Sequence, residues 1–282
     1  MPASARFWTP KEQSMSLSVG IGSFGTIGRQ VAGVLDRGEI PGLALGMVSA
    51  RDRERGARRM AAFHNPVPVV PLGELAVCDV VLECAPAEVF AEIAEPAIEA
   101  GRIFVPTSVG ALLPRMDLVE RAKETGARII VPTGALLGLD AVRAAAEGTI
   151  DSVTMVTRKP PGGLAGAPHL VKNNISVEGL NEPKLVFEGS AREGAIGFPA
   201  NVNVAAALSL AGIGPDKTRL QIWADPTVDR NTHHIEVEAD SARFSLDIAT
   251  IPTEENPRTG KITALSVIAC LRSLTQTLKV GT

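Results

Sequence analysis

The chain contains no tyrosine. That absence removes mechanisms built on a tyrosine acid, such as the Tyr–Lys pair of short-chain dehydrogenases. Its three cysteines, Cys78, Cys84 and Cys270, are too few and too scattered for a disulfide framework or a metal knuckle. No metal site is expected, and a reducing, cytoplasmic compartment fits best. Only four histidines occur, His64, His169, His233 and His234, so the imidazoles available for proton transfer near neutral pH form a short list. Excess charge is lacking too, with 28 Lys plus Arg against 31 acids and a net of −3. Such a balance gives no general reason to seek nucleic acid or an anionic membrane. No apolar run approaches the ~18 residues that span a bilayer. The opening MPASARFWTPKEQSM has no hydrophobic segment of a secretory signal and reads as a flexible tail, residues 1–15.

What is present is a chain of 282 residues, 45% of them hydrophobic, enough for two domains at roughly 100–200 residues each. From Leu17 a short β-rich run enters a glycine cluster. Ile27, Val31, Val34 and Leu35 then recur at helical spacing, and Gly38 is a plausible stop. Apolar strands follow at Leu43–Val48, Asp79–Ala85, Arg102–Val105 and Ala127–Val131, alternating with helices over Glu88–Ala100 and Leu113–Thr125. Strand–helix alternation with continuously apolar strands predicts a doubly wound, Rossmann-like α/β domain around a parallel sheet, residues 16–140. After Asp140 a helix over Ala141–Glu147 leads into alternating runs at Ser152–Thr157, Lys184–Glu188, Arg219–Trp223, His234–Glu238 and Ala242–Ile248. These predict an α+β substrate and dimerisation domain with a largely antiparallel sheet, residues 141–260. A helix over Asn201–Ala211 lies within it. The C-terminal segment 261–282 is expected to pack its helix back on the first domain.

The glycines are where the first domain would bind a ligand. Gly20, Gly22 and Gly25 match G-x-G-x-x-G, and Gly28 extends the cluster into a second register, Gly22, Gly25, Gly28. Lying between a strand and an amphipathic helix, the turn suits a dinucleotide pyrophosphate at a helix N-terminus. Candidate cofactor contacts are Gly22, Phe24, Gly25, Thr26 and Ile27 in the turn, and Cys84 and Ala85 at the end of the third strand. Cys84 reads equally well as a small buried hydrophobe. An NAD-preferring site places an acid at the end of the second strand. Here Ser49 holds that place, followed by Arg51 and Arg53, which favours NADP over NAD. The competing reading gives the acidic role to Asp52 and leaves the arginines on a solvated turn.

Single polar residues are ambiguous. His233 and His234 are adjacent on a strand and must face opposite ways. Asn201 and Asn203 sit where asparagine caps a helix, Asp140 is a possible cap, and Lys159, before two prolines, would by default be solvated. Several stretches together nevertheless resemble the L-aspartate dehydrogenase family. They are GSFGTIGRQV (22–31), VLECAP (81–86), TGALLGLDA (133–141), FPANVNVAAALSLAG (198–212), ADPTVDRNTHHIEV (224–237) and NPRTGKITALSV (256–267). The resemblance implies NAD(P)-dependent interconversion of L-aspartate and iminosuccinate, which hydrolyses to oxaloacetate and ammonia. It also implies a homodimer and a role supplying iminosuccinate to pyridine nucleotide biosynthesis. It places the active-site histidine at His233, with Asn231 on the same strand face, and the nicotinamide end of the cofactor near Ala135 and Asn203. Asn201, Lys159 and Thr259 are the candidates for holding the substrate carboxylates. Two other readings remain open: an imine reductase of the dihydrodipicolinate-reductase type, and a non-catalytic NADP-sensing module.

Overall fold

A computed structural model of the chain describes residues 16–199, 201–255 and 259–281; the expected tail, residues 1–15, lies outside the described residues. The first half runs β1 (Leu17–Ile21), α1 (Thr26–Asp36), β2 (Leu43–Val48), α2 (Arg53–Met60) and β3 (Val80–Glu83). It continues through α3 (Phe90–Glu99), β4 (Ile103–Pro106), α4 (Val109–Leu112), α5 (Asp117–Thr125) and β5 (Arg128–Ile129). The five strands form one sheet in the order β2-β1-β3-β4-β5, with every pair parallel.

Strand pleating explains why these strands read as continuous apolar runs. Val80 and Leu82 face one layer with Val31 and Leu35, while Val81 faces the other with Ile93 and Phe104. Each fully buried Val, Leu or Ile side chain contributes about 1.5–3 kcal/mol, so a strand apolar on both sides is stable only between two helical layers. The strand order reverses between β1 and β3, and in such sheets ligands bind beyond the carboxyl ends of the strands at that point.

The second half runs α6 (Leu139–Ala146), β6 (Ile150–Lys159), α7 (Pro168–Lys172), β7 (Lys184–Ser190) and α8 (Ala191–Gly197). Then come α9 (Asn203–Ala211), β8 (Arg219–Ala224), β9 (Thr232–Ala239), β10 (Arg243–Ala249) and α10 (Lys261–Ser273). Its sheet has the order β10-β9-β6-β8-β7. Only β6–β8 is parallel; the other three pairs are antiparallel, as the alternating pattern implied. Met155, Ile222 and Ile235 face a core shared with Phe198 and Leu208, and the opposite face carries Arg158, Trp223 and His234. Val267 and Leu271 of α10 are buried among Val31 and Leu35 of the first half. No described helix is long and apolar enough to cross a membrane.

Three expectations need correction. The helix expected over Leu113–Thr125 is broken: Leu113–Arg115 forms a 3-10 turn holding Pro114, and α5 begins only at Asp117. The second strand leads into a helix, α2, rather than a plain solvated turn. The helix expected from Asn201 begins at Asn203.

Candidate functional site

The chain leaves β1 at Ile21 and enters α1 at Thr26, with Gly25 as the cap. A Cβ on Gly28 would lie 1.8 Å from the Ser23 carbonyl oxygen, and one on Gly22 would lie 2.7 Å from Ile93 Cδ1. At Gly25 the nearest atom would be Ser23 Oγ at 3.5 Å. Gly28 therefore lets the turn close on itself and Gly22 lets it pack against β3 and α3, while Gly25 leaves space above the helix end; Gly20 lies within β1. No side chain caps α1 and its first turn holds no acid, so its leading N–H groups favour an anion. The carboxylate of Glu255 approaches this place, accepting from Thr26 Oγ1 at 3.2 Å and pairing with Arg29. The turn thus fits the pyrophosphate of a dinucleotide. Phe24 is buried against Phe63, ring centroids 5.7 Å apart, so only its backbone is available to a ligand.

Just past β2, Ser49 is buried and its N–H donates to Ile21 O at 2.8 Å. Arg51 is exposed. Asp52 caps α2 by accepting from Arg55 N at 2.9 Å, a duty that its alternative role as ribose acceptor did not foresee. Past β3, the Cys84 thiol donates to Ser23 O at 3.5 Å, and burial pushes it up, away from the thiolate.

Glu83, which the sequence reading passed over, organises the rim. This last residue of β3 is fully buried, and its carboxylate accepts from Ala85 N (2.9 Å), Thr107 N (3.2 Å), Ser108 N (2.9 Å) and Ser108 Oγ (3.0 Å). Burial pushes its carboxyl above the usual range and those donors pull it back. It ties together the loops after β3 and β4, both of which border the cleft. A charged residue closing an otherwise apolar VVLE strand was the available signal.

Between the two sheets lies a cavity of about 420 Å³. Ile27, Ala85 and Ala135 border it, together with Lys159, Asn201, Asn203, Asn231, His233 and Thr259. Gly22, Phe24, Gly25, Thr26, Ser49, Arg51 and Cys84 lie outside that lining, around the glycine turn and the ends of β2 and β3. Asn203 also fastens the halves together, its Oδ1 accepting from Gly110 N at 3.0 Å.

The cavity's polar wall follows from strand register. Thr157 pairs with His233 and Arg158 with Thr232, so Thr157 and Lys159 on β6 share a face with His233 and Asn231. Thr157 Oγ1 lies 3.1 Å from His233 Nδ1, leaving Nε2 as the ring nitrogen toward the cavity. Burial, with the Lys159 charge adding to it, pushes the imidazole down to about 3. His233 is therefore neutral at physiological pH. His234 points the other way, paired with Asp247 at 2.7 Å.

Lys159 overturns the expectation of a solvated side chain: it is 6% exposed. Its Nζ reaches Asn201 O at 3.2 Å and Asn201 Oδ1 at 3.0 Å, and burial pulls it down to about 8. The two prolines that follow do not carry the side chain outward, because Lys159 ends a strand whose inner face meets Asn201.

Comparison with known proteins shows the family and the fold. The family model for the NAD binding domain of homoserine dehydrogenase matches residues 24–132, and the one described as Aspartate dehydrogenase, C-terminal, matches residues 140–274. L-aspartate dehydrogenase of Bradyrhizobium diazoefficiens is 56% identical over 97% of both chains. L-aspartate dehydrogenase 3 of Bordetella bronchiseptica is 54% identical over 94% of this chain and 98% of its own. The crystal structure of aspartate dehydrogenase from Thermotoga maritima superposes with a TM-score of 0.69 at 24% identity, covering 94% of this chain and 99% of that one. With a glycine turn fit for a dinucleotide facing a polar-walled cavity, and with relatives of this identity along nearly its full length, the chain is an oxidoreductase of the L-aspartate dehydrogenase family.

Proposed function

We propose that the protein interconverts L-aspartate and iminosuccinate, which hydrolyses to oxaloacetate and ammonia, using a nicotinamide dinucleotide. The observation that carries this reading is the convergence of Asn231, His233 and Lys159 on one wall of a cavity that also reaches Ile27 of the glycine turn. When bound, the nicotinamide supplies the hydride chemistry. The chain's own residues do the remainder. The N-terminal turn of α1 holds the pyrophosphate, and Ala85, Ala135 and Asn203 border the nicotinamide end. Asn201, Thr259 and Lys159, all in the cavity lining, are assigned to the two carboxylates, and Asn231 orients substrate or water.

The role of His233 follows from its surroundings. A buried neutral imidazole anchored through Nδ1 by Thr157 presents Nε2 as a fixed hydrogen-bonding group. During oxidation it aligns first the substrate nitrogen and then the water that attacks the imine. His233→Ala is expected to lower turnover of L-aspartate about 10²-fold while nucleotide binding, followed by fluorescence, stays unchanged. Unaltered turnover would remove His233 from the reaction.

NADP is the favoured cofactor, because the place of the ribose-binding acid holds Ser49, Asp52 is engaged as a helix cap, and Arg51 is free to face a 2′-phosphate. The three free thiols suit a cytoplasmic location. A homodimer is supported by the outer face of the second sheet, where Trp223 is only half-buried and the Arg158 guanidinium lies 4.9 Å from its ring centroid.

A further inference from the structure

We propose that Lys159 is the catalytic proton carrier of this site, its ε-amine taking one proton from the substrate ammonium during oxidation and returning it during reduction. The proposal rests on the dehydrogenase reading above and goes beyond carboxylate binding. It replaces the imidazole as the group that changes charge.

Three observations carry it. First, the amine is buried in the cavity wall on the same sheet face as His233 and Asn231, where a substrate aligned by those residues would lie. Second, its protein partners among the described residues are both acceptors on Asn201. A neutral amine has two N–H donors and one lone pair. With both hydrogens directed at Asn201 O and Oδ1, the lone pair faces away from them, toward the substrate space. Third, no described carboxylate stands beside it to hold it charged. The titratable side chains lining the cavity are Lys159, His233 and Glu88, and Glu88 is exposed. Asp225, just past the neighbouring strand β8, is held by Arg158 and Thr227. Burial without a counter-ion brings the amine to about 8, within reach of neutral pH, while burial and the Lys159 charge hold His233 at about 3. Of the two, only the lysine gains and loses a proton in the working range.

The step balances as follows. An N–H bond of the substrate ammonium breaks and an Nζ–H bond forms. The freed nitrogen lone pair becomes the second bond of C=N while the Cα–H electron pair departs to the oxidised nicotinamide. Water then adds to the iminium carbon, both of its protons pass to the nitrogen, ammonium leaves as the C=O bond forms, and Nζ–H returns its own proton to solvent.

Lys159→Ala tests this in the direction of L-aspartate oxidation. Expected are a fall in kcat of about 10²-fold or more, with nucleotide binding retained as evidence of folding, and saturable recovery of kcat on adding methylamine. In the wild type, kcat/KM should rise with pH through a limb near 8 that the variant lacks. A variant that keeps its kcat and loses only KM, keeps the limb, and gains nothing from methylamine would make Lys159 a carboxylate anchor and overturn the proposal. A wild-type protein with no turnover of L-aspartate would overturn the dehydrogenase reading and this inference with it.

Discussion

Glu83 and Lys159 occupy comparable places in the two halves of the molecule. Each is the last residue of a central strand, each is buried, and each stands at the cleft. Glu83 accepts four hydrogen bonds from three residues, whereas Lys159 has the two oxygens of one asparagine. The saturated charge has nothing left for a ligand, and it binds two loops into a rim. The undersupplied amine, in its neutral form, keeps a lone pair for whatever enters the cavity. Burial alone therefore does not mark a catalytic group; burial with bonding capacity left over, facing a cavity, does.

The largest effect that would break this comparison is on stability. Glu83→Ala strands the N–H groups of Ala85 and Ser108, each costing about 1–3 kcal/mol, while Thr107 N keeps the Glu83 carbonyl and Ser108 Oγ keeps Ala85 O. We expect a loss of at least about 2 kcal/mol in urea unfolding; a variant as stable as wild type would show that the rim does not depend on this carboxylate. Ser49, a third strand-end position, sharpens the contrast toward cofactor choice. Ser49→Asp should shift the NADP-to-NAD ratio of kcat/KM toward NAD by about tenfold, as expected for a charge-assisted hydrogen bond of about 1.5–3 kcal/mol gained by the ribose and repulsion of a 2′-phosphate. An unmoved ratio would take Ser49 out of the ribose pocket.

The smallest effect is expected at Lys159. Exchanging an unpaired buried amine for an apolar chain of similar length costs little, so Lys159→Met should stay within about 1 kcal/mol of wild type at pH 7. Its pH dependence is more telling. Between about 8 and a lysine's ordinary 10.5 the unfolded chain holds a proton that the folded chain lacks. Wild-type stability should therefore rise with pH across that window, and the rise should be missing from Lys159→Met. A rise of equal size in both would place the titrating group elsewhere.

The fold was legible where one period dominated. Leu17–Ile21 and Leu43–Val48 match β1 and β2 to the residue, because each is a short, largely apolar run marked at one end by a glycine, Gly22 or Gly42. Helix α2 was not legible, since RERGARRM has almost no apolar face to show a period. Helix α8 carried a signal left unread, the capping box of Ser190 and Glu193. Within the site, register made the pairing of His233 with Asn231 readable from a two-residue spacing. The burial of Lys159 was not readable, for it is set by Asn201, 42 residues away, and no local pattern reports a contact between a strand end and a distant turn. The glycine register lay between these cases. The sequence offers two triplets, and only the contact of Gly28 with the Ser23 carbonyl selects Gly22, Gly25 and Gly28.

The most direct test of the whole account is oxidation of NADPH, and separately of NADH, by the purified protein supplied with oxaloacetate, ammonium, both or neither. We expect consumption only when both are present, with NADPH the better donor. Consumption with oxaloacetate alone would contradict chemistry at a C–N bond and make the cavity that of a keto-acid reductase.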